Sequence, residues 1–75
     1  METPKQYSNF RLREIVEEFI HSERDRNILI EKYCNKKTIE QIAELYELSD
    51  SQVKRIITRD GMIVFRIMAE EDDRN

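Results

Sequence analysis

The 75-residue sequence contains one glycine, one proline, one cysteine, one histidine and no tryptophan. So few turn-forming residues leave little room for hairpins and point to an all-α chain. Cys34 has no second cysteine to pair with, so an internal disulfide is excluded, and with His21 as the sole histidine a zinc site is starved of ligands. The expected roles are structural: Cys34 a small buried hydrophobe, His21 a residue near a helix end. No apolar run approaches the roughly 20 residues that a membrane helix needs, and METPKQYSNF carries no signal-peptide core. The expectation is a cytoplasmic chain that makes no use of a membrane.

Hydrophobic and charged residues each make up 39% of the sequence, a balance that fits a small helical domain with one modest core. A domain of this size has no room for a deep enclosed pocket, so function is expected at a surface. The formal charge of -3 argues mildly against nucleic acid. Its distribution softens that argument. EEDDRN (70–75) holds four of the 16 acids and one of the 13 bases, which leaves 12 against 12 in the rest of the chain. A neutral body can carry a basic face.

Four helix starts are legible. Thr3-Pro4-Lys5-Gln6 offers a cap, a proline at the first helical position and a glutamine to close a capping box, with Ser8 or Asn9 as alternative starts. Leu12, Ile15, Val16, Phe19 and Ile20 then recur at helical spacing. Ser22-Glu23-Arg24-Asp25 repeats the signal, with acids where the helix dipole favours them. Leu29, Ile30, Tyr33 and Cys34 give this second helix its apolar side, with Ile28 adjacent, and Asn35 is the residue expected to end it in a left-handed conformation.

Thr38-Ile39-Glu40-Gln41 is a capping-box pattern, and Ile39, Ile42, Ala43 and Tyr46 follow on one face, with Glu40, Glu44 and Glu47 on the other. After a break at Glu47-Leu48, Ser49-Asp50-Ser51-Gln52 starts a helix expected over 49–59, with Val53, Ile56 and Ile57 inward. Leu48 is placed to pin the short corner into the core. Gly61 can end that helix, after which MIVFRIM (62–68) reads either as a strand or as a continuation. Continuation is preferred, because Val53, Ile57, Val64 and Met68 would share a face and a lone strand would have no partner. The expected architecture is therefore a small domain of four to five helices over 1–69, with a helix-turn-helix at 38–59 and a disordered acidic tail at 70–75.

At about 100° per residue, the outward side of helix 49–59 carries Ser51, Arg55 and Thr58, flanked by Lys54 and Arg59. A helix fits the major groove, and an arginine fork can make two parallel hydrogen bonds to a guanine edge. Lys36, Lys37 and the helix start at Thr38 could together hold a phosphate. The plainer alternative is that Lys54, Arg55 and Arg59 only solvate an amphipathic helix.

ERDRNILIEKYC, TIEQIAELYELS and SQVKRII, within residues 23–59, resemble the C-terminal, promoter-reading domain (region 4) of bacterial sigma factors and the small phage-type regulators related to it. The matching features are Ala43 at the small position, Leu48 at the turn, Ser49 as cap, and Val53 and Ile56 inward. The resemblance implies that helix 49–59 is a recognition helix. It also implies that Ser51, Lys54, Arg55 and Thr58 contact bases or phosphates; Ser49, Gln52 and Arg59 beside them complete the expected DNA-binding set. Two departures stand out. Glu47 replaces the family's usual turn glycine, at a cost of up to about 1 kcal/mol if left-handed. Asp50 puts negative charge beside the contact face, where favourable charge at a helix start is its simpler role.

A chain this short has no room for a separate promoter-melting domain, so a stand-alone transcriptional regulator of phage or mobile-element type is expected, with a phage DNA-packaging recognition subunit as another member of the same class. The expected partner is double-stranded DNA, with no cofactor or metal expected. Ile63, Phe65, Ile67 and Met68 either complete the core or pair two copies on a palindromic site. The rival reading is an interaction module that docks on RNA polymerase or another regulator through Glu40, Glu44, Glu47 and the acidic tail. No nucleophile-base pair, glycine-rich phosphate loop or metal-ligand cluster can be assembled from these residues, so enzymatic function is not expected.

Overall fold

A computed structural model describes the backbone of residues 4–74 and the side chains of residues 9–71. Four helices follow one another: α1 (Pro4–Phe19), α2 (Glu23–Tyr33), α3 (Ile39–Tyr46) and α4 (Asp50–Arg74), with no strand among the described residues. The all-helical expectation holds. Pro4 is the first helical residue of α1; its expected cap, Thr3, lies outside the described residues.

The start signals work locally. The Ser22 hydroxyl accepts the Asp25 N–H at 3.2 Å and caps α2. Thr38 and Gln41 form a reciprocal capping box, with the Gln41 N–H on Thr38 Oγ1 at 3.1 Å and the Thr38 N–H on Gln41 Oε1 at 2.9 Å. Ser49 and Gln52 repeat the device at the start of α4, at 3.1 and 2.9 Å. Each box satisfies two amides that would otherwise lack partners.

Helix ends follow the same logic with one shift. Glu47 ends α3 in the left-handed region (φ 58, ψ 45), and the Leu48 N–H returns to the Ala43 carbonyl at 2.9 Å. That closure turns the chain within three residues and drops half-buried Leu48 against the core. At the end of α2 the left-handed residue is Lys36 (φ 61), where Asn35 was expected. The last turn loosens, with both the Cys34 and Asn35 amides on the Ile30 carbonyl, so the reversal comes one residue later. The Asn35 side-chain amide instead donates to Glu31 Oε1 at 3.0 Å.

α4 packs against each of the other three helices, while the backbones of α1 and α3 stay apart on its two sides and share only the core. Leu12, Ile15, Val16 and Ile20 of α1 meet Ile28 and Leu29 of α2, Ile42 and Ala43 of α3, and Val53, Ile56, Ile57 and Val64 of α4 in one core. Each fully buried aliphatic side chain contributes about 1.5–3 kcal/mol. Two expectations shift. Phe19 is 44% exposed. α2 turns Asp25, Ile28 and Leu29 inward, while Ile30, Tyr33 and Cys34 are only half-buried, because the inward face centres on the first three, with Tyr33 at its edge and Ile30 and Cys34 further round.

The preferred continuation beyond 59 holds, since α4 runs unbroken through Gly61 and MIVFRIM (62–68) is helical. Gly61 is buried with helical backbone, close to the Tyr33 hydroxyl and the Phe65 ring, and Tyr33 and Phe65 meet edge to face at 5.0 Å. Those contacts continue the packed face, so nothing favours termination there. The tail expected to be disordered from residue 70 is also helical as far as Arg74. Arg11 of α1 explains this: its guanidinium grips the Glu71 carboxylate, with Nε on Oε1 at 2.9 Å, and anchors the last turns to the body.

Candidate nucleic-acid interface

The corner between α3 and α4 turns the first half of α4 so that Val53, Ile56 and Ile57 are buried. Ser51, Lys54, Arg55 and Thr58 are exposed on the other side, where together with Arg59 they line a broad, open hollow. The ridge expected from helical periodicity therefore exists as a continuous surface. It also continues further. Met62 and Arg66, exposed one and two turns beyond Thr58, extend the same side of α4. The same 100° arithmetic would have found them once the helix was taken past Gly61.

The expected site residues divide by what their side chains already do. Ser49, Gln52 and Thr38 are occupied as caps through their oxygens. Arg55 and Lys54 make no hydrogen bond or ion pair among the described residues, which leaves their charges available. Arg59 differs. Its Nη2 donates to Asp25 Oδ2 at 2.9 Å and its Nε to Asp60 Oδ1 at 3.0 Å. The Asp60 hydrogen bond, reinforced by the charge of Asp60 and then of Asp25, raises the Arg59 pKa above its ordinary value. Asp25 and Asp60 are both buried, and Asp60 Oδ2 has no hydrogen-bond partner among the described residues. Guanidinium charge thus neutralises two carboxylates that the core covers.

Lys36 and Lys37 are not drawn into the hollow on α4. Lys36 is exposed in its left-handed turn, and Lys37 Nζ lies 4.0 Å from Glu31 Oε1, beside a separate shallow hollow shared with Gln41, Glu44 and Leu45. Only Lys36 therefore offers an unengaged charge near the start of α3.

Arg24 is the residue that sequence reasoning passed over. It sits in the first turn of α2, with Nε and Nη2 both 3.1 Å from Asp25 Oδ1, and it lines a cleft of about 140 Å³ together with Gln52, Arg55 and Arg59 of α4. Nothing local in the sequence joins residue 24 to residue 59.

The four residues weighed for pairing two copies do not make one surface. Ile67 and Met68 pack against the core, while Ile63 and Phe65 are 41% and 42% exposed on well-separated flanks of α4, about 200° apart. Cys34 is half-buried, with Sγ 3.9 Å from the Asn9 carbonyl, and His21 is exposed between α1 and α2. Among the described residues, no group of three or more His, Cys, Asp or Glu side chains gathers as metal ligands do, and no helix is long and apolar enough to cross a membrane. No protein-family model, curated protein or solved structure matches this chain.

Proposed function

We propose that the protein is a sequence-specific DNA-binding transcriptional regulator in which α3 and α4 act as a helix-turn-helix and the first half of α4 enters the major groove. The observation that carries this reading is the ridge of Ser51, Lys54, Arg55 and Thr58, exposed side by side directly after a three-residue corner. A helix inserted in a groove needs its outward side free of its own fold, with donors that reach base edges and charge that meets phosphates. Arg55 is the base-reading residue in this scheme, with Ser51 and Thr58 as short contacts and Lys54 on a phosphate. Arg59, engaged by Asp25 and Asp60, positions α4 against α2 and offers its remaining N–H groups to the backbone. Lys36 supplies further charge at the start of α3. Because Ile67 and Met68 are half-buried against the protein's own core, one copy is taken to engage each site.

Selection of bound duplexes from a random pool, followed by a salt titration on the enriched sequence, tests this. The expected result is an enriched motif, affinity that falls steeply with salt, and a loss of about tenfold or more with relaxed specificity in Arg55→Ala. No enrichment, together with no binding at low salt, would overturn it.

A second reading has its own observation: Glu40, Glu44 and Glu47 are exposed on α3 beside Leu45, which is 56% exposed. An acidic surface with an apolar residue suits docking on a basic face of RNA polymerase or another regulator. Glu40→Lys with Glu44→Lys should abolish such a complex and leave DNA binding intact or strengthened.

A further inference from the structure

The cleft between the first turn of α2 and the start of α4 carries an inference of its own. Its lining is Arg24, Leu48, Gln52, Arg55, Ile56 and Arg59, three guanidiniums and an amide set against two apolar walls, with no acidic residue among them. The carboxylates that hold two of the guanidiniums are buried and do not line it. Buried Asp25 takes Nε and Nη2 of Arg24 on one oxygen and Nη2 of Arg59 on the other, while Asp60 takes Nε of Arg59. Two consequences follow from this arrangement. Buried carboxylates engage Nε and Nη2 of both Arg24 and Arg59, and among the described residues no hydrogen bond engages Nη1 of either. Three positive charges meet only two negative ones, and Arg55 makes no ion pair among the described residues. Gln52 adds its amide N–H groups, since only its oxygen is used by the Ser49 cap.

We infer that this cleft is a binding site for a single phosphate group. Converging guanidinium donors, pre-positioned by buried carboxylates, match the tetrahedral and diffuse charge of a phosphate better than they match one planar carboxylate. Arg55 and Arg59 line both the cleft and the open hollow on the ridge, so the two surfaces are continuous. A phosphate held there would lie at the flank of α4 while the ridge faces the groove. The same chemistry is offered by a DNA backbone phosphate or by a free phosphate; the first source rests on the DNA-binding reading, whereas the site itself does not.

The experiment has two arms, both on the full chain. Inorganic phosphate is titrated at constant ionic strength, with chloride as control, while the arginine Nε–H and backbone amide resonances are followed. Expected is a saturable shift confined to Arg24, Gln52, Arg55 and Arg59, lost in Arg24→Ala and weakened in Arg24→Lys, which keeps the charge without the fork. Shifts spread evenly over all basic residues, or none at the cleft, would overturn the site. In the duplex arm, Arg24→Ala should weaken binding to every sequence alike and lower the salt slope by about one, with the selected motif unchanged. Phosphate shifts at the cleft without any duplex binding would keep the site, assign it to a free phosphate and sink the DNA reading. Duplex binding with an unaltered slope and no phosphate shift would sink the site and keep the DNA reading. The wild-type titration needs no substitution, so it decides the matter even if Arg24→Ala is poorly folded.

Discussion

Arg59 of α4 and Asp25 of α2 are joined at 2.9 Å across 34 positions of sequence, between a carboxylate that is almost wholly covered and a guanidinium that is half open to solvent. The pair ties the first turn of α2 to the helix proposed to read DNA, and it does so beside the ridge. Removing one partner leaves the other's charge poorly matched, which is costlier than removing both. Arg59→Ala, which strands buried Asp60 and takes one of two guanidiniums from buried Asp25, should therefore lower the thermal unfolding midpoint by several degrees, Asp25→Ala by less because Arg59 is half exposed and keeps Asp60, and the double variant by less than the sum of the two. Strict additivity in the thermal melts would mean that the contact contributes nothing.

Glu47 is a left-handed non-glycine residue at the end of α3, at φ 58. A side chain there costs up to about 1 kcal/mol relative to glycine, and its negative charge sits at the unfavourable end of the helix dipole. Glu47→Gly is expected to stabilise the fold by about 0.5–1 kcal/mol in urea unfolding without changing the corner. A lower stability would show that the Glu47 side chain makes a contribution beyond its backbone.

Gly61 presents the opposite case. Its backbone is helical, and an added Cβ would meet the Tyr33 hydroxyl at 3.6 Å and the Phe65 ring at 3.9 Å, ordinary contact distances. Gly61→Ala should then gain about 0.5–1 kcal/mol from helix propensity alone. If denaturant melts show destabilisation instead, the Tyr33–Phe65 contact is tighter than these distances imply.

Burial raises the pKa of Tyr33, and burial aided by the charge of Glu31 raises that of Tyr46. A tyrosine whose folded value lies above its unfolded value of about 10 favours the neutral phenol in the native state. Stability from these two groups is fully present below pH 10 and is lost as pH climbs through the folded values. Tyr33→Phe keeps the edge-to-face ring contact with Phe65, so it should flatten the fall in stability above pH 10 and leave neutral-pH stability little changed. An unaltered alkaline profile would place the pH dependence in other groups.

Much of this molecule is legible in its sequence, and the legible part is local. The caps at Ser22, Thr38 and Ser49 join residues three apart, and the break at Glu47-Leu48 lies where the two helix patterns meet, with the left-handed Glu47 closing it. The exposed ridge at Ser51, Lys54, Arg55 and Thr58 is simple helical periodicity set against the buried Val53, Ile56 and Ile57. What tertiary structure alone decided involves residues far apart in the chain. Glycine is ambiguous by itself; packing against Tyr33 carries α4 through Gly61, and Arg11 on Glu71 carries it to Arg74. Arg59 read as a free cation in sequence, yet its partner Asp25 is brought to it only by the crossing of α2 and α4, which also assembles Arg24 into the cleft. Capping and periodicity act within one or two helical turns, whereas an ion pair or a cleft depends on how two helices cross, and that angle is set by the whole core.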